Sequence, residues 1–401
     1  MDANHIPNEL SQRILERFLR YVKIWTTSDR AKADAGIIPS TPQQRDFAEL
    51  LATELKALGA DDVHVTEFCY VCARIPANVA NADSRNTIAF LAHLDTVDSV
   101  PGKNVNPQVV RKNGETFIVS DGTTLLGADD KAGIAEIMTL AELLLTDASI
   151  PHGDIEIIFP PDEETGHGMD KVPLDWMRAK QAYTLDGDDL GALEAECFNA
   201  YKSTVVFTGH AEHTGHARPN MVNAINLAAD FVNMLPRHES PETTDERMGF
   251  YTPVSVHAEM ESATVELFLR DFDAHAMEKR MRNVETFAQA VCQKYAGVAD
   301  DGKAALATVS VTHTLQYKNM AEKMSEQAVQ KLVAAMAQCA ITPRFKPIRG
   351  GTDGSRLTEI GIPTPNIFTG ANAFHSRGEW ACLEQMTKAV EVLVALVKLW
   401  T

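Results

Sequence analysis

Asp121-Gly122-Thr123-Thr124-Leu125-Leu126-Gly127-Ala128-Asp129-Asp130-Lys131-Ala132-Gly133 sets two adjacent carboxylates on a turn between an apolar run and a helix that begins near Lys131. Glycines at 122, 127 and 133 permit backbone angles that residues with a Cβ resist. An aspartate at a helix start has an ordinary reading as an N-cap, because its side chain accepts orphan backbone N–H groups. That reading leaves the surroundings unexplained. His93-Leu94-Asp95 upstream and Asp162-Glu163-Glu164 downstream each follow a strand-like apolar run, and His375 follows another. Together these residues form a set suited to two metal ions.

Outward from this stretch, strands and helices alternate. Residues 87–92 form a continuous apolar run, as expected of a strand covered on both faces, and deliver His93 and Asp95 at its C-terminal end. The helix over about 131–145 is followed by a strand at 155–159, with Asp162, Glu163 and Glu164 just past its end. A further strand at 182–185 leads into Asp186 in the same manner. Such alternation predicts an α/β sheet, at least partly parallel, with chemistry at the carboxyl ends of its strands. Before it, Leu10, Ile14, Phe18, Tyr21, Val22 and Trp25 have the spacing of one buried helix face over 8–25. A second helix has Thr41 as N-cap, Pro42 in its first turn, Gln44 completing a capping box, and Gly59 as its stop. The segment from Val63 to Ile75 reads as strand, and 97–120 as loop with short strands.

The texture changes near residue 198. Residues 200–213, 252–257 and 263–270 read as strands, and 221–235 and 273–296 as helices. A helix over 321–339 then resumes the first pattern, followed by a glycine-rich loop at 349–354, a short strand at 365–368 and an amphipathic helix over 383–400. The expected architecture is an α/β catalytic domain, a mixed sheet flanked by helices, built from residues 1–197 and 316–401. A smaller α+β domain, residues 198–315, is inserted into it.

Composition limits the partners. A chain of 401 residues, 45% hydrophobic and 23% charged, suits a globular protein with a sizeable core. A net charge of -18 argues against nucleic acid or an anionic membrane as partner. No apolar stretch approaches the roughly 20 residues of a membrane span, and the polar N-terminus lacks a secretory pattern. Cysteines stand scattered at 69, 72, 197, 292, 339 and 382. The one C-x-x-C, Cys69 and Cys72, has an odd separation that on a strand points the thiols to opposite faces. Reduced thiols in a cytoplasmic protein are expected.

The chemistry lies in the donors. Zinc takes imidazole nitrogen and carboxylate oxygen, and two ions about 3.5–4 Å apart need a shared ligand with flanking ligands on each side. His93, Asp129, Glu164, Asp186 and His375 supply such donors from five separate segments. Asp95, two residues after His93 and on the same face of a strand, is placed to orient that ring. Of the neighbours Glu163 and Glu164, one can ligate while the other takes a proton from water. His210-x-x-His213-x-x-His216 lacks the H-E-x-x-H pattern and stands between glycines, which speaks against a separate metal site. Arg349-Gly350-Gly351 reads either as an ordinary turn or as a carboxylate receptor with open backbone.

These residues resemble the peptidase T family. His93-x-Asp95-Thr96, Gly127-Ala128-Asp129-Asp130-Lys131-Ala132-Gly133, Pro161-Asp162-Glu163-Glu164, Asp186-Gly187 and Gly350-Gly351-Thr352-Asp353-Gly354 carry the resemblance. Ile150-Pro151-His152-Gly153-Asp154-Ile155 and Glu239-Ser240-Pro241-Glu242 point to the same family, and the likeness runs from Leu15 to the last helix. Peptidase T enzymes are aminotripeptidases among the co-catalytic zinc exopeptidases, which also include aminoacylases, dipeptidases and carboxypeptidases. The resemblance implies that Asp129 bridges two zinc ions, other divalent metals remaining open. His93 and Asp186 would complete one ion, Glu164 and His375 the other. It implies Glu163 as general base, Asp95 as the orienting acid, and a cis peptide between Asp129 and Asp130. The insert would be a lid, whose His213 and Arg270, with Arg349, Gly350 and Gly351, bind the carbonyl oxygen and carboxylate of a short peptide. The chain departs from the family pattern at Thr214, where proline is usual, in a shorter loop between Pro107 and Thr123, at Asp188 and Asp189, and around His375. The expected function is thus a two-zinc aminopeptidase on short peptides, tripeptides first, as monomer or homodimer. A dipeptidase, aminoacylase or carboxypeptidase of the same family, or an inactive metal-binding homologue, is the alternative.

Overall fold

In the computed structural model, residues 8–80, 86–295 and 307–401 are described. The chain divides into two compact units. The first comprises Met1–Ala195, Met320–Lys346 and Gly351–Thr401, and the second Glu196–Asn319 and Pro347–Gly350.

The first unit is built on an eight-stranded sheet. From edge to edge its strands are β1 (Asp61–Val65), β2 (Val71–Ile75), β6 (Ile155–Phe159), β3 (Ile88–Leu91), β7 (Gln181–Gly187), β14 (Asn366–Phe368), β8 (Ala192–Glu194) and β13 (Arg344–Phe345). The centre is parallel: β3 pairs in parallel with β6 and β7, and β14 with β7. β2 runs antiparallel to β6 and β8 antiparallel to β14, so the sheet is mixed, as the sequence predicts. Both faces of the central strands are covered, which explains their unbroken apolar runs. Ile88, Phe90, Ile157 and Phe159 join the core beneath helices α1 (Glu9–Tyr21), α3 (Gln43–Leu58), α4 (Ala128–Thr146), α7 (Glu326–Gln338) and α9 (Leu383–Leu399). Ala89, Leu91 and Ile158 face the other way, against Leu357 of α8 (Asp353–Ile360) and the 169–179 segment. A smaller antiparallel sheet has the order β15 (Ala371–Asn372), β16 (Trp380–Cys382), β5 (Glu115–Val119), β4 (Gln108–Lys112). All six cysteines are free thiols, and Cys69 and Cys72 belong to the cores of opposite faces.

Two local expectations are corrected. Trp25 lies beyond the end of α1 and is 38% exposed, whereas Ile14, Phe18 and Tyr21 are buried. The capping box before α3 does not form: Pro42 is the N-cap and makes no side-chain bond. Gln44 instead turns to the buried Asp162, donating from Nε2 to its Oδ1 at 2.7 Å. A buried carboxylate is a stronger claimant on that amide than a helix end that water can reach.

The second unit is a four-stranded antiparallel sheet in the order β10 (Phe250–Ala258), β11 (Ser262–Asp271), β9 (Asn199–Thr208), β12 (Thr308–Tyr317). Helices α5 (Ala224–Met234) and α6 (Ala274–Lys294) pack on it through Phe231 and Val284 against Val205, Phe207, Val265 and Leu267. The helix predicted over 273–296 ends at a position that lies outside the described residues. The sequence pattern predicts no strand matching β12, an edge strand whose Val309 and Val311 alternate with threonine and serine. A polar edge strand carries little of the apolar signal that marks buried ones. Among the described residues no helix is long and apolar enough to cross a membrane.

Candidate metal centre

The five donors named from the sequence all belong to the first unit. β3 ends at Leu91 and sets His93 just beyond its C-terminal end; β6 does the same for Glu164, and β7 carries Asp186. Asp129 arrives on the first turn of α4, which lies directly on β7 at Gly133. A Cβ on Gly133 would stand 2.1 Å from the carbonyl oxygen of Leu185, so only glycine lets helix and strand approach so closely. Asp129 (φ -83°, ψ 103°) and Asp130 (φ -122°, ψ 38°) are not helical, and the peptide between them is cis.

Asp129 uses its oxygens in two directions. Oδ1 is 2.8 Å from His93 Nε2, and Oδ2 is 3.1 Å from His375 Nε2. His375 Nε2 is also 2.9 Å from Glu164 Oε2, and His93 Nε2 is 3.8 Å from Asp186 Oδ1. Two groupings of ligand atoms lie within 4.8 Å of one another: His93, Asp129 and Glu164, and His93, Asp130 and Asp186. Asp130 is the weaker candidate on hydrogen bonding. Its oxygens accept the amides of His93 at 3.1 Å and Gly133 at 3.2 Å, so it positions His93 and the helix start. Asp129's carboxylate instead faces two imidazoles.

Around the donors sits a layer that holds backbone. Asp95, fully buried, accepts the amides of Glu163 at 3.0 Å and Glu164 at 3.3 Å, and its Oδ1 is 3.4 Å from His93 Nδ1. Asn366 accepts the amide of Asp186 at 2.9 Å and donates to the buried Glu194 at 2.7 Å. Asp162, in the left-handed region at φ 57°, accepts from the amide and hydroxyl of Ser40 as well as from Gln44. Arg30 donates to the carbonyls of Glu164 at 2.6 Å and Thr165 at 3.1 Å. Glu379 accepts the amides of Leu126, Gly127 and Asp129. Sequence reasoning missed Asn366, Arg30 and Glu379 because each acts on backbone groups, which leave no motif.

The electrostatics are those of a carboxylate-rich, largely buried pocket. Burial pushes the Glu164 carboxyl up to about 7, with Asp129 adding to it. Burial and the Asp129 carboxylate raise Asp186, and burial raises Glu163 most of all its influences. The imidazoles respond: the hydrogen bonds His375 donates to Asp129 and Glu164 take it up to about 10. His93 also rises, because Asp129 and Asp95 outweigh its burial. Buried carboxylates that push one another toward protonation are stabilised together by a divalent cation, which displaces protons from acids and imidazoles alike. Glu164 Oε1 is buried with no hydrogen-bond partner among the described residues. The oxygen and imidazole donor set fits zinc.

The substrate-binding candidates lie elsewhere in the chain: His213, Arg270, Arg349 and Gly350 belong to the second unit, and Gly351 to the first. His213 is exposed, and its Nδ1 accepts the amide of Gly215 at 3.2 Å. Arg270 folds over Phe268, and its Nη1 donates to the carbonyls of Leu269 and Tyr201 at 2.9 and 3.3 Å. Arg349 donates to the carbonyls of Glu246, Met248 and Thr244, closing the 244–248 loop of its own unit.

A mixed sheet that gathers imidazoles and carboxylates at its strand ends, with a separate α+β unit, defines an α/β protein with a candidate two-metal centre. The chain belongs to Peptidase family M20/M25/M40, whose profile matches residues 89–399. It is 40% identical to a peptidase T of Geobacillus thermodenitrificans, the match covering 98% of this chain and 99% of that one. It is likewise 40% identical to a peptidase T of Clostridium perfringens, over 97% and 99% of the two chains. Among solved structures, a tripeptidase from Staphylococcus aureus has a TM-score of 0.79 at 21% identity, covering 97% of this chain and 98% of that one. A Bacillus subtilis protein described as a dinuclear metal binding peptidase of the M20 family has a TM-score of 0.70 at 15% identity, with 97% and 98% covered. These structural likenesses concern the fold.

Proposed function

We propose that this chain is an aminopeptidase that removes the N-terminal residue from short peptides, tripeptides first, at a centre holding two zinc ions. The observation that carries the proposal is Asp129, whose two carboxylate oxygens face two different imidazoles at 2.8 and 3.1 Å. The near full-length relatives called peptidase T narrow the substrate class, and the dinuclear description of a fold neighbour supports the ion count.

Asp129 would be the shared ligand, with His93 and Asp186 completing one side and Glu164 and His375 the other. Ions bound there supply Lewis acidity, polarising the scissile carbonyl and acidifying water. Glu163 removes a proton from the attacking water and returns it to the departing amine. Its carboxyl lies in a small cavity with His93, Asp130, Asp186 and Asp353, where burial raises its affinity for a proton. Asp95 keeps Glu163 and Glu164 in register with His93 through the two amides it accepts. His213 and Arg270, with Gly350 and Gly351, bind the peptide's carbonyl oxygen and carboxylate. Arg349 joins them only by giving up its carbonyl partners.

The test is a substrate panel with zinc-loaded and chelated protein: di-, tri- and tetra-alanine, N-acetylated tri-alanine and C-amidated tri-alanine. Release of the N-terminal alanine from the free tripeptide, lost on chelation and absent from the N-acetylated peptide, is the expected result. Release of acetate or of the C-terminal residue would assign the chain to a different hydrolase and defeat the proposal.

A further inference from the structure

Two buried acids each follow one of the candidate ligand histidines and accept the backbone amides of an acidic loop. Asp95 follows His93 by two residues and accepts the amides of the Glu163–Glu164 loop. Glu379 follows His375 by four residues and accepts the amides of the other acidic loop. Its Oε2 takes the N–H of Leu126 and of Gly127, each at 2.8 Å, and its Oε1 takes that of Asp129 at 2.9 Å. We propose that Glu379 is the positioning residue that aims the bridging Asp129, the counterpart of Asp95 on the opposite side of the centre. This rests on the reading of Asp129 as the shared ligand.

Several observations converge on Glu379. It is 1% exposed, so its three bonds are shielded from competing water. Gly127 is left-handed at φ 77° and Asp129 is non-helical, so no regular helix fixes the direction of Asp129. The start of a helix leaves its amides without partners, and here a carboxylate supplies them through charge-assisted bonds. Lys131, also buried, donates to the carbonyl of Ile24 at 2.6 Å and so ties down the same turn. One loop therefore grips Asp129 twice: Glu379 by its amide, and His375 by its carboxylate at 3.1 Å. Removing the Glu379 acceptor leaves buried N–H groups unpaired and lets the 126–129 backbone turn. Asp129 then no longer faces both imidazoles at once.

The experiment titrates metal-free protein with Co2+, reading stoichiometry, affinity and the visible absorption of the bound ions, with far-UV circular dichroism as the check on folding. Wild type is expected to take up two ions. Glu379→Gln keeps an acceptor for Leu126 and Gly127 but turns an amide toward the Asp129 N–H. It is expected to fold, to bind the second ion roughly 10–100-fold more weakly, and to show an altered spectrum. Glu379→Asp keeps the charge but not the reach and is expected to behave alike; should the glutamine variant fail to fold, this one decides. Glu136→Gln changes a buried acid of α4 whose oxygens have no hydrogen-bond partner among the described residues, and is expected to match wild type. A folded Glu379 variant with wild-type stoichiometry, affinity and spectrum overturns the proposal, as does an equal loss in Glu136→Gln. Wild type that binds no Co2+ overturns the two-ion reading, and this one with it.

Discussion

Glu163 and Glu164 are adjacent and chemically identical, yet their surroundings divide them. Glu164 points Oε2 at His375, 2.9 Å away, and leaves Oε1 buried without a partner, the geometry of a ligand. Glu163 lines the cavity beside Asp353, and its backbone amide donates to Asp95. A carboxylate without a fixed partner is free to accept and release a proton. Glu163→Gln is therefore expected to keep its metal and to lose roughly 10²–10⁴-fold in kcat. Glu164→Gln is expected to lose metal first and activity as a consequence. Metal content and kcat measured side by side on the two purified variants decide it, and equal metal loss in both would contradict the division of roles.

The elements that hold the acidic loop in place are short and were only partly legible. Helix α2 (Arg30–Asp34) lies against the 163–170 segment: Arg30 bonds the carbonyls of Glu164 and Thr165, and Asp34 meets His167 at 3.1 Å. His167 also contacts Asp170 at 2.6 Å, and these two carboxylates raise its pKa against a burial that lowers it. A raised histidine stabilises the fold in full below the ordinary value of about 6.5 and ceases to as pH rises through the folded value. Asp34 is largely exposed, so the stabilisation belongs to the range of surface pairs, about 0–1 kcal/mol. His167→Gln is expected to lower Tm at pH 6 and to match wild type at pH 9; a gap that persists at pH 9 would mean the ring acts by packing. Legibility follows the same line. β3, β6 and β7 are legible because both their faces are buried, and the candidate donors His93, Glu164 and Asp186 because they stand at or just past the ends of those strands. Arg30, Asn366 and Glu379 are not, since they hold carbonyls and amides that every residue possesses. β12 stayed hidden because its side chains are mostly polar, and Gln44 was misread because the acid that captures it is 118 residues away.

At the scale of the molecule, the two units have separate cores, and Arg270 is where a part for the second unit in the proposed reaction can be tested. The centre's five donors belong to the first unit and Arg270 to the second, on β11. Its neighbouring acids are already engaged: Asp271 pairs with Arg280 at 2.8 Å, and Asp273 caps α6 through the amide of Ala276. Arg270 instead lies over Phe268 and beside Tyr317, bonded to two carbonyls, with burial lowering its pKa. A guanidinium so placed has donors for a carboxylate and no carboxylate among the described residues. In the proposed function that carboxylate is the C-terminus of the peptide. Arg270→Ala is then expected to leave folding and metal content unchanged, because its contacts are confined to its own sheet. On free tripeptides kcat/KM should fall by an amount equivalent to about 1.5–3 kcal/mol, the range for a hydrogen bond to a charged group. On the C-amidated tripeptide wild type should already have lost most of that, and the substitution should cost little more. Steady-state kinetics of both enzymes on both substrates close the cycle, and equal losses on the free and amidated peptides would remove Arg270 from substrate recognition.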